Sequence, residues 1–98
     1  MRTDAGSIRV LAVDDHALLL EGIAALINAE SDVKLVADAC NGRDAIEKFR
    51  LHRPDVTLMD LQMPALNGID AIIGIRSELP NARIIVLTGA RHGRLSIM

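Results

Sequence analysis

Asp14 and Asp15 stand directly after one short apolar run, Asp60 ends a second, and Thr88 ends a third. If those runs are neighbouring strands of one sheet, spaced about 4.8 Å apart, the three carboxylates share one small volume. Carboxylates that close repel one another and raise one another's pKa unless a cation lies between them. The spacing therefore calls for a metal ion. Hard oxygen donors favour a hard ion, and a shallow, partly hydrated site suits Mg²⁺ better than an all-protein calcium cage. Such an ion would screen the Asp60 carboxylate and hold the oxygens of an incoming phosphoryl group, which makes Asp60 a candidate acceptor through an aspartyl phosphate. Thr88 offers a hydroxyl to a phosphoryl oxygen. Any one of these residues alone reads as an ordinary strand-end or capping residue. Their joint placement, with Met63-Pro64 and Gly68 following Asp60, points to chemistry. His16, His52 and His92 show no metal-ligand spacing and read as surface residues, and the lone Cys40 reads as a small buried one.

Holding these groups together requires strands and helices in alternation. Ile8–Val13 is a nearly continuous apolar run, which predicts a strand covered on both faces. A helix is predicted over 17–29, with Leu19, Leu20, Ile23, Leu26 and Ile27 as its apolar face and Asp15 placed to cap its first turn. A weaker strand over 33–37 follows, then Asn41-Gly42 and a helix over 43–53 that buries Ala45, Ile46 and Phe49 and ends at Pro54. Residues 55–60 predict a third strand, 61–68 a loop, 69–79 a third helix stopped by Pro80, and 83–88 a fully buried fourth strand. Strand and helix alternate three times, which favours an α/β parallel sheet with helices on both faces, and ligands of such sheets gather at the carboxyl ends of the strands. Residues 89–98 show no sustained period and predict no element, and Arg91, His92 and Arg94 read as a solvated end.

Ninety-eight residues, 50% apolar and 24% charged, suffice for one domain. A formal charge of -2, no Trp or Tyr and a single Phe argue against a nucleic-acid surface. No apolar run near the start is long enough for a signal-peptide core or a membrane span. One cysteine excludes an intramolecular disulfide and is compatible with a reducing cytosol, so a cytoplasmic location is expected.

Three blocks carry a resemblance: Val10-Leu-Ala-Val-Asp14-Asp15-His16, Asp55-Val-Thr-Leu-Met-Asp60-Leu-Gln-Met63-Pro64-Ala-Leu-Asn-Gly68 and Ile84-Ile-Val-Leu-Thr88. They resemble the receiver domain of two-component response regulators, most closely the subfamily with a LuxR-type helix-turn-helix output domain. The resemblance runs over about residues 8–88 of a single domain spanning 1–98, with 89–98 as an atypical tail. It implies a flavodoxin-like three-layer sandwich with strand order 2-1-3-4-5. By position, Asp60 matches the phosphorylated aspartate, Asp15 the direct Mg²⁺ ligand, Asp14 the ligand acting mostly through water, Gln62 the residue whose backbone carbonyl completes the metal site, and Thr88 the switch hydroxyl. The resemblance also implies a sensor histidine kinase as phosphodonor, docked largely against the first helix, where Ala17, Leu18 and Leu20 begin the exposed end.

The departures have consequences of their own. The usual fifth strand, the last helix and the output domain have no counterpart, nor does the family's lysine at the end of strand five, since the only lysines are Lys34 and Lys48. The fourth strand is then expected to be an open edge, with a homodimer forming through it, and phosphorylation to be weak or unable to switch the domain. A signalling module rather than a turnover enzyme is the expectation. A phosphatase of the haloacid-dehalogenase kind would want an acidic residue two positions after its nucleophile, where Gln62 stands. The alternative is a degenerate receiver serving as a phosphorylation-independent interaction module.

Overall fold

The computed structural model describes residues 6–61, 68–87 and 95–97, the last three as backbone. β1 (Ile8–Val13) coincides with the first apolar run. It is followed by α1 (Ala17–Asn28), β2 (Val33–Ala39), α2 (Gly42–His52), β3 (Val56–Asp60), α3 (Gly68–Glu78), β4 (Arg83–Leu87) and β5 (Leu95–Ile97). The sheet order is β2-β1-β3-β4-β5. β1 to β4 are all parallel, with β1 between β2 and β3 and with β4 beyond β3. Strand order thus reverses at β1, which opens a crevice at the carboxyl rim beside its end.

Local chemistry explains the elements. Asn41 caps α2, its side-chain oxygen accepting from the Asp44 N–H at 2.8 Å. The helix ends on Arg53 in the left-handed region, φ 45°, whose N–H still reaches Phe49 O at 2.8 Å, and Pro54 blocks any continuation. The Arg53 guanidinium then lies over the Phe49 ring, 5.7 Å from its centre. Side chains alternate along each strand, so Leu11, Val13, Met59, Ile84 and Val86 face one layer. There they bury against Ala45 and Phe49 of α2 and Ala71, Ile72 and Ile75 of α3. Val10 and Ala12 point the other way, toward α1 and its buried Leu20.

Thr57 shares the first of these faces. It sits between Leu11 and Ile84 in the sheet register, fully buried, and its hydroxyl has no hydrogen-bond partner among the described residues. A buried donor left unmade costs about 1–3 kcal/mol. Thr57→Val, of nearly the same shape, is therefore expected to stabilise the fold by about 1 kcal/mol or more. A urea midpoint at or below that of the parent would contradict this.

Several expectations are corrected. Residues 95–97 do form an element: β5 pairs antiparallel with β4, Leu87 opposite Leu95, Val86 opposite Ser96 and Ile85 opposite Ile97. The apolar-polar-apolar pattern is strand-like, but three residues are too few to signal one until the free backbone groups of β4 supply a partner. The β4 edge is thus paired over those residues, and a homodimer through an open β4 loses its basis. Neither the parallel fifth strand nor the last helix of the family pattern occurs among the described residues.

α1 buries less than its periodicity promised. Leu20 is buried and Ile23 and Ile27 half-buried, but Leu19 is exposed and Leu26 is 74% exposed. Among the described residues the helix packs mainly over β1 and β2, and its outer leucines stay exposed. Ile85 and Leu87 are only half-buried, so among the described residues that face of β4 is less covered than the face carrying Ile84 and Val86. Leu20 is buried, as the apolar periodicity of α1 predicts, and so does not join Ala17 and Leu18 at the exposed end of the helix. Asp15 does not cap α1: His16 is the N-cap and makes no side-chain capping bond. Cys40, expected in the core, is exposed just beyond the end of β2. Among the described residues no helix is long and apolar enough to cross a membrane.

Candidate functional site

Parallel register decides the geometry of the site. Val13 lies opposite Met59, so the next residues, Asp14 and Asp60, leave the sheet side by side on the same rim. Asp60 in turn is level with Leu87, the last residue of β4. Asp14 extends the ladder, its N–H donating to Ala39 O at 3.0 Å, which draws its side chain below the surface. Asp14 is 2% exposed and Asp60 7%. Asp15, one residue on, is open to solvent. One donor atom from each of Asp14, Asp15, His16 and Asp60 lies within 4.8 Å of all the others.

The backbone and side chain of His16 both serve this cluster. Its N–H donates to Asp14 Oδ1 at 2.9 Å, and its Nδ1 lies 2.8 Å from the same oxygen. Nδ1 is also 3.0 Å from Asp15 Oδ1. The hydrogen bond to Asp14, followed by the charges of Asp15, Asp14 and more weakly Asp60, holds the imidazole above its usual pKa of 6.5. The three aspartates predicted to converge do so. His16, read from sequence as a surface residue, joins them, and its signal was adjacency to the paired aspartates rather than any ligand spacing. Gln62 and Thr88, the other two predicted site residues, lie outside the described residues.

The donor set fits a divalent ion. Three carboxylates, two of them nearly buried, meet with their donor atoms a few ångströms apart, a concentration of negative charge that a hard dication neutralises. Gly68, the first residue of α3, lies against the backbone at the end of β3: a Cβ there would strike Asp60 O and come within 2.8 Å of Leu61 Cα. The start of α3 is therefore seated on the backbone that carries Asp60. Neither lysine is held at this point. Lys48 Nζ donates to Asp38 O at 2.9 Å and lies 3.7 Å from Asp44, and Lys34 is level with Arg9 near the opposite end of the sheet.

Comparison with known proteins gives concordant matches. Residues 10–96 match the family described as the response regulator receiver domain. The response regulator protein VraR of Staphylococcus saprophyticus is 40% identical over 81 residues, which is 83% of this chain and 39% of that protein. The uncharacterized transcriptional regulatory protein YxjL of Bacillus subtilis is 44% identical over 81 residues, 83% of this chain and 37% of that one. The chain thus spans about two fifths of the length of these relatives. Among solved structures, the response regulator domain of Thermotoga maritima CheB superposes with a TM-score of 0.78 at 41% identity, covering 82% of this chain and 59% of that one. A LuxR-family two-component response regulator from Aurantimonas sp. SI85-9A1 gives 0.79 at 32% identity, covering 88% and 63%.

Proposed function

Because the chain belongs to the response regulator receiver-domain family, we propose that residues 1–98 fold as one receiver that accepts a phosphoryl group on Asp60 in two-component signalling. The observation carrying this reading is the convergence of Asp14, Asp15 and Asp60 on one rim, with Asp60 last in its strand. Asp14, Asp15 and Asp60 would hold Mg²⁺, together with the Gln62 backbone carbonyl in the family pattern. Bound there, the ion would neutralise the carboxylates and polarise the phosphoryl oxygens.

The rest of the work belongs to the chain. An Asp60 carboxylate oxygen attacks phosphorus as the P–N bond of a phosphohistidine breaks, the bonding pair returning to the imidazole nitrogen, which takes a proton. The product is an acyl phosphate on Asp60. Burial of Asp14 and Asp60 fixes their positions, so little reorganisation is needed at transfer. Thr88 would donate its hydroxyl to a phosphoryl oxygen afterwards. The donor is a sensor histidine kinase, and α1 is its docking element, with Ala17 and the 81% exposed Leu18 at the end nearest the site. The chain acts as a signalling module in the cytoplasm.

A second reading rests on the placement of the lysines. With Lys48 engaged by Asp38 and Asp44, and Lys34 near the far end, no lysine of this chain is positioned to pair with the added charge of about -1.5 to -2. The alternative is an interaction module that works without phosphorylation. Intact mass after incubation with acetyl phosphate and Mg²⁺ separates the two. A substoichiometric gain of one phosphoryl group is expected, abolished in Asp60→Asn and by chelator. No gain in the parent would favour the alternative, and a gain persisting in Asp60→Asn would refute Asp60 as acceptor.

A further inference from the structure

We propose that this chain pairs with a second copy of itself by laying the outer side of α1 into a trough over the partner's β3 and β4, each copy filling the other's trough. α1 carries one charged residue, Glu21, in Ala17–Asn28, and a helix apolar all round belongs in an interior. Only one side of it has one. Leu20 is buried and Ile23 and Ile27 half-buried, whereas Leu18, Leu19, Gly22, Ala25 and Leu26 are exposed. A Cβ at Gly22 would meet nothing within 4 Å, so packing inside the described chain does not call for a glycine in mid-helix, where it costs stability.

The sheet supplies the hollow. Val10 and Ala12 lie buried beneath α1. On the same face, in register with them, follow Val56 and Leu58 of β3 and then Ile85 and Leu87 of β4, all half-buried. Among the described residues α1 is the one helix on this face, and it packs over β1 and β2. From β3 to β5 the strip is about 10 Å wide, the diameter of one helix with its side chains. The right-handed crossover from β1 to β2 places Leu19 and Leu26, about a quarter turn from the buried side of α1, on its β3 flank. Ridge and hollow are thus neighbours, and a two-fold axis along the strands sets each ridge into the other hollow. Leu19 and Leu26 then meet their own copies near the axis, while Leu18, Gly22 and Ala25 face the partner's Leu58, Ile85 and Leu87. The small residues at 22 and 25 permit close approach. The last turn of α1 holds no basic residue, and it reaches the partner's Arg83, exposed at the start of β4, a favourable charge for a helix C-terminus.

Surface area agrees with this occupant. A compact monomer of 10.6 kDa exposes about 5,500 Å², whereas this chain exposes 6163 Å². Its radius of gyration of 12.7 Å is that of a compact chain of this length, about 12.6 Å, so uncovered faces rather than sprawl account for the surplus. That surplus, about 700 Å², is close to the ~800 Å² that each partner buries in a stable interface. The contact is distinct from the β4 edge, which β5 pairs. On the reading of α1 as the kinase docking element, the dimer and the kinase complex exclude each other.

Sedimentation equilibrium of the 98-residue chain is expected to show monomer and dimer with a Kd in the micromolar range. Leu26→Glu is expected to raise that Kd at least about thirtyfold, because the two-fold counts each substitution twice. Leu51→Glu, at an equally exposed position on α2, is expected to change it less than about threefold. In a Cys40→Ser background, Leu26→Cys is expected to cross-link into dimers under mild oxidation and Leu51→Cys is not. A parent that stays monomeric up to about 1 mM, an open-ended assembly, equal weakening by the two glutamates, or a Leu26→Cys variant that fails to cross-link would overturn the inference. None of these results bears on Asp60 as phosphoryl acceptor, which acetyl phosphate tests separately.

Discussion

Phe49→Ala is expected to remove about 3–5 kcal/mol of unfolding free energy, the usual cost of deleting a buried aromatic ring. Phe49 is the one aromatic residue of the chain and is 2% exposed. It fills the layer where α2 meets the sheet, among Leu11, Val13, Met59 and Ile75. A domain of this size has about 5–15 kcal/mol in total, so the variant should lie close to its folding threshold. The loss goes beyond cavity formation, because the Arg53 guanidinium that rests on the ring at the left-handed end of α2 also loses its contact. Urea denaturation measures the change, and a midpoint shift worth less than about 1 kcal/mol would show that the ring is not central to the core.

Gly68→Ala is expected to damage both the fold and the acceptor. The added methyl would collide with Asp60 O and approach Leu61 Cα to 2.8 Å. Both are backbone atoms and cannot rotate aside. Overpacking of this kind costs about 1–3 kcal/mol, and relief comes by moving α3 or the end of β3, which carries the phosphoacceptor. A misplacement of about 1 Å costs roughly a hundredfold in a positioned reaction, so phosphoryl uptake from acetyl phosphate should fall by one to two orders of magnitude on the same principle. Gly74→Ala is the control. Its methyl meets only side-chain atoms of Ile46, Cδ1 at 2.7 Å and Cγ1 at 3.3 Å, and a side chain can shift where backbone cannot. If the two variants behave alike in stability and uptake, the seating of α3 on Asp60 is not what glycine provides at 68.

Most of the elements were legible in the residues. The run of Ile8 to Val13, the break at Asn41-Gly42, the stops at Pro54 and Pro80 and the apolar row of β4 are local signals, and the observed elements follow them to within a residue or two at most ends. The site was legible where it depended on strand ends: Asp14, Asp15 and Asp60 meet as expected once parallel register aligns them. His16 was not, because a histidine beside two aspartates has no distinguishing spacing, and only the bend into α1 turns its ring back on them.

By itself, the order of residues determined the α/β alternation, the family and the identity of the acidic triad, since apolar periodicity and strand-end chemistry are written within a few neighbouring positions. The tertiary structure alone decided which groups find partners across long separations. It paired Leu95–Ile97 with β4, left Leu26 in water and Cys40 exposed, buried the Thr57 hydroxyl with no partner among the described residues, and set the start of α3 on Asp60. Hydrogen bonding and packing between distant segments depend on which layers lie above which strands, and no local pattern encodes that.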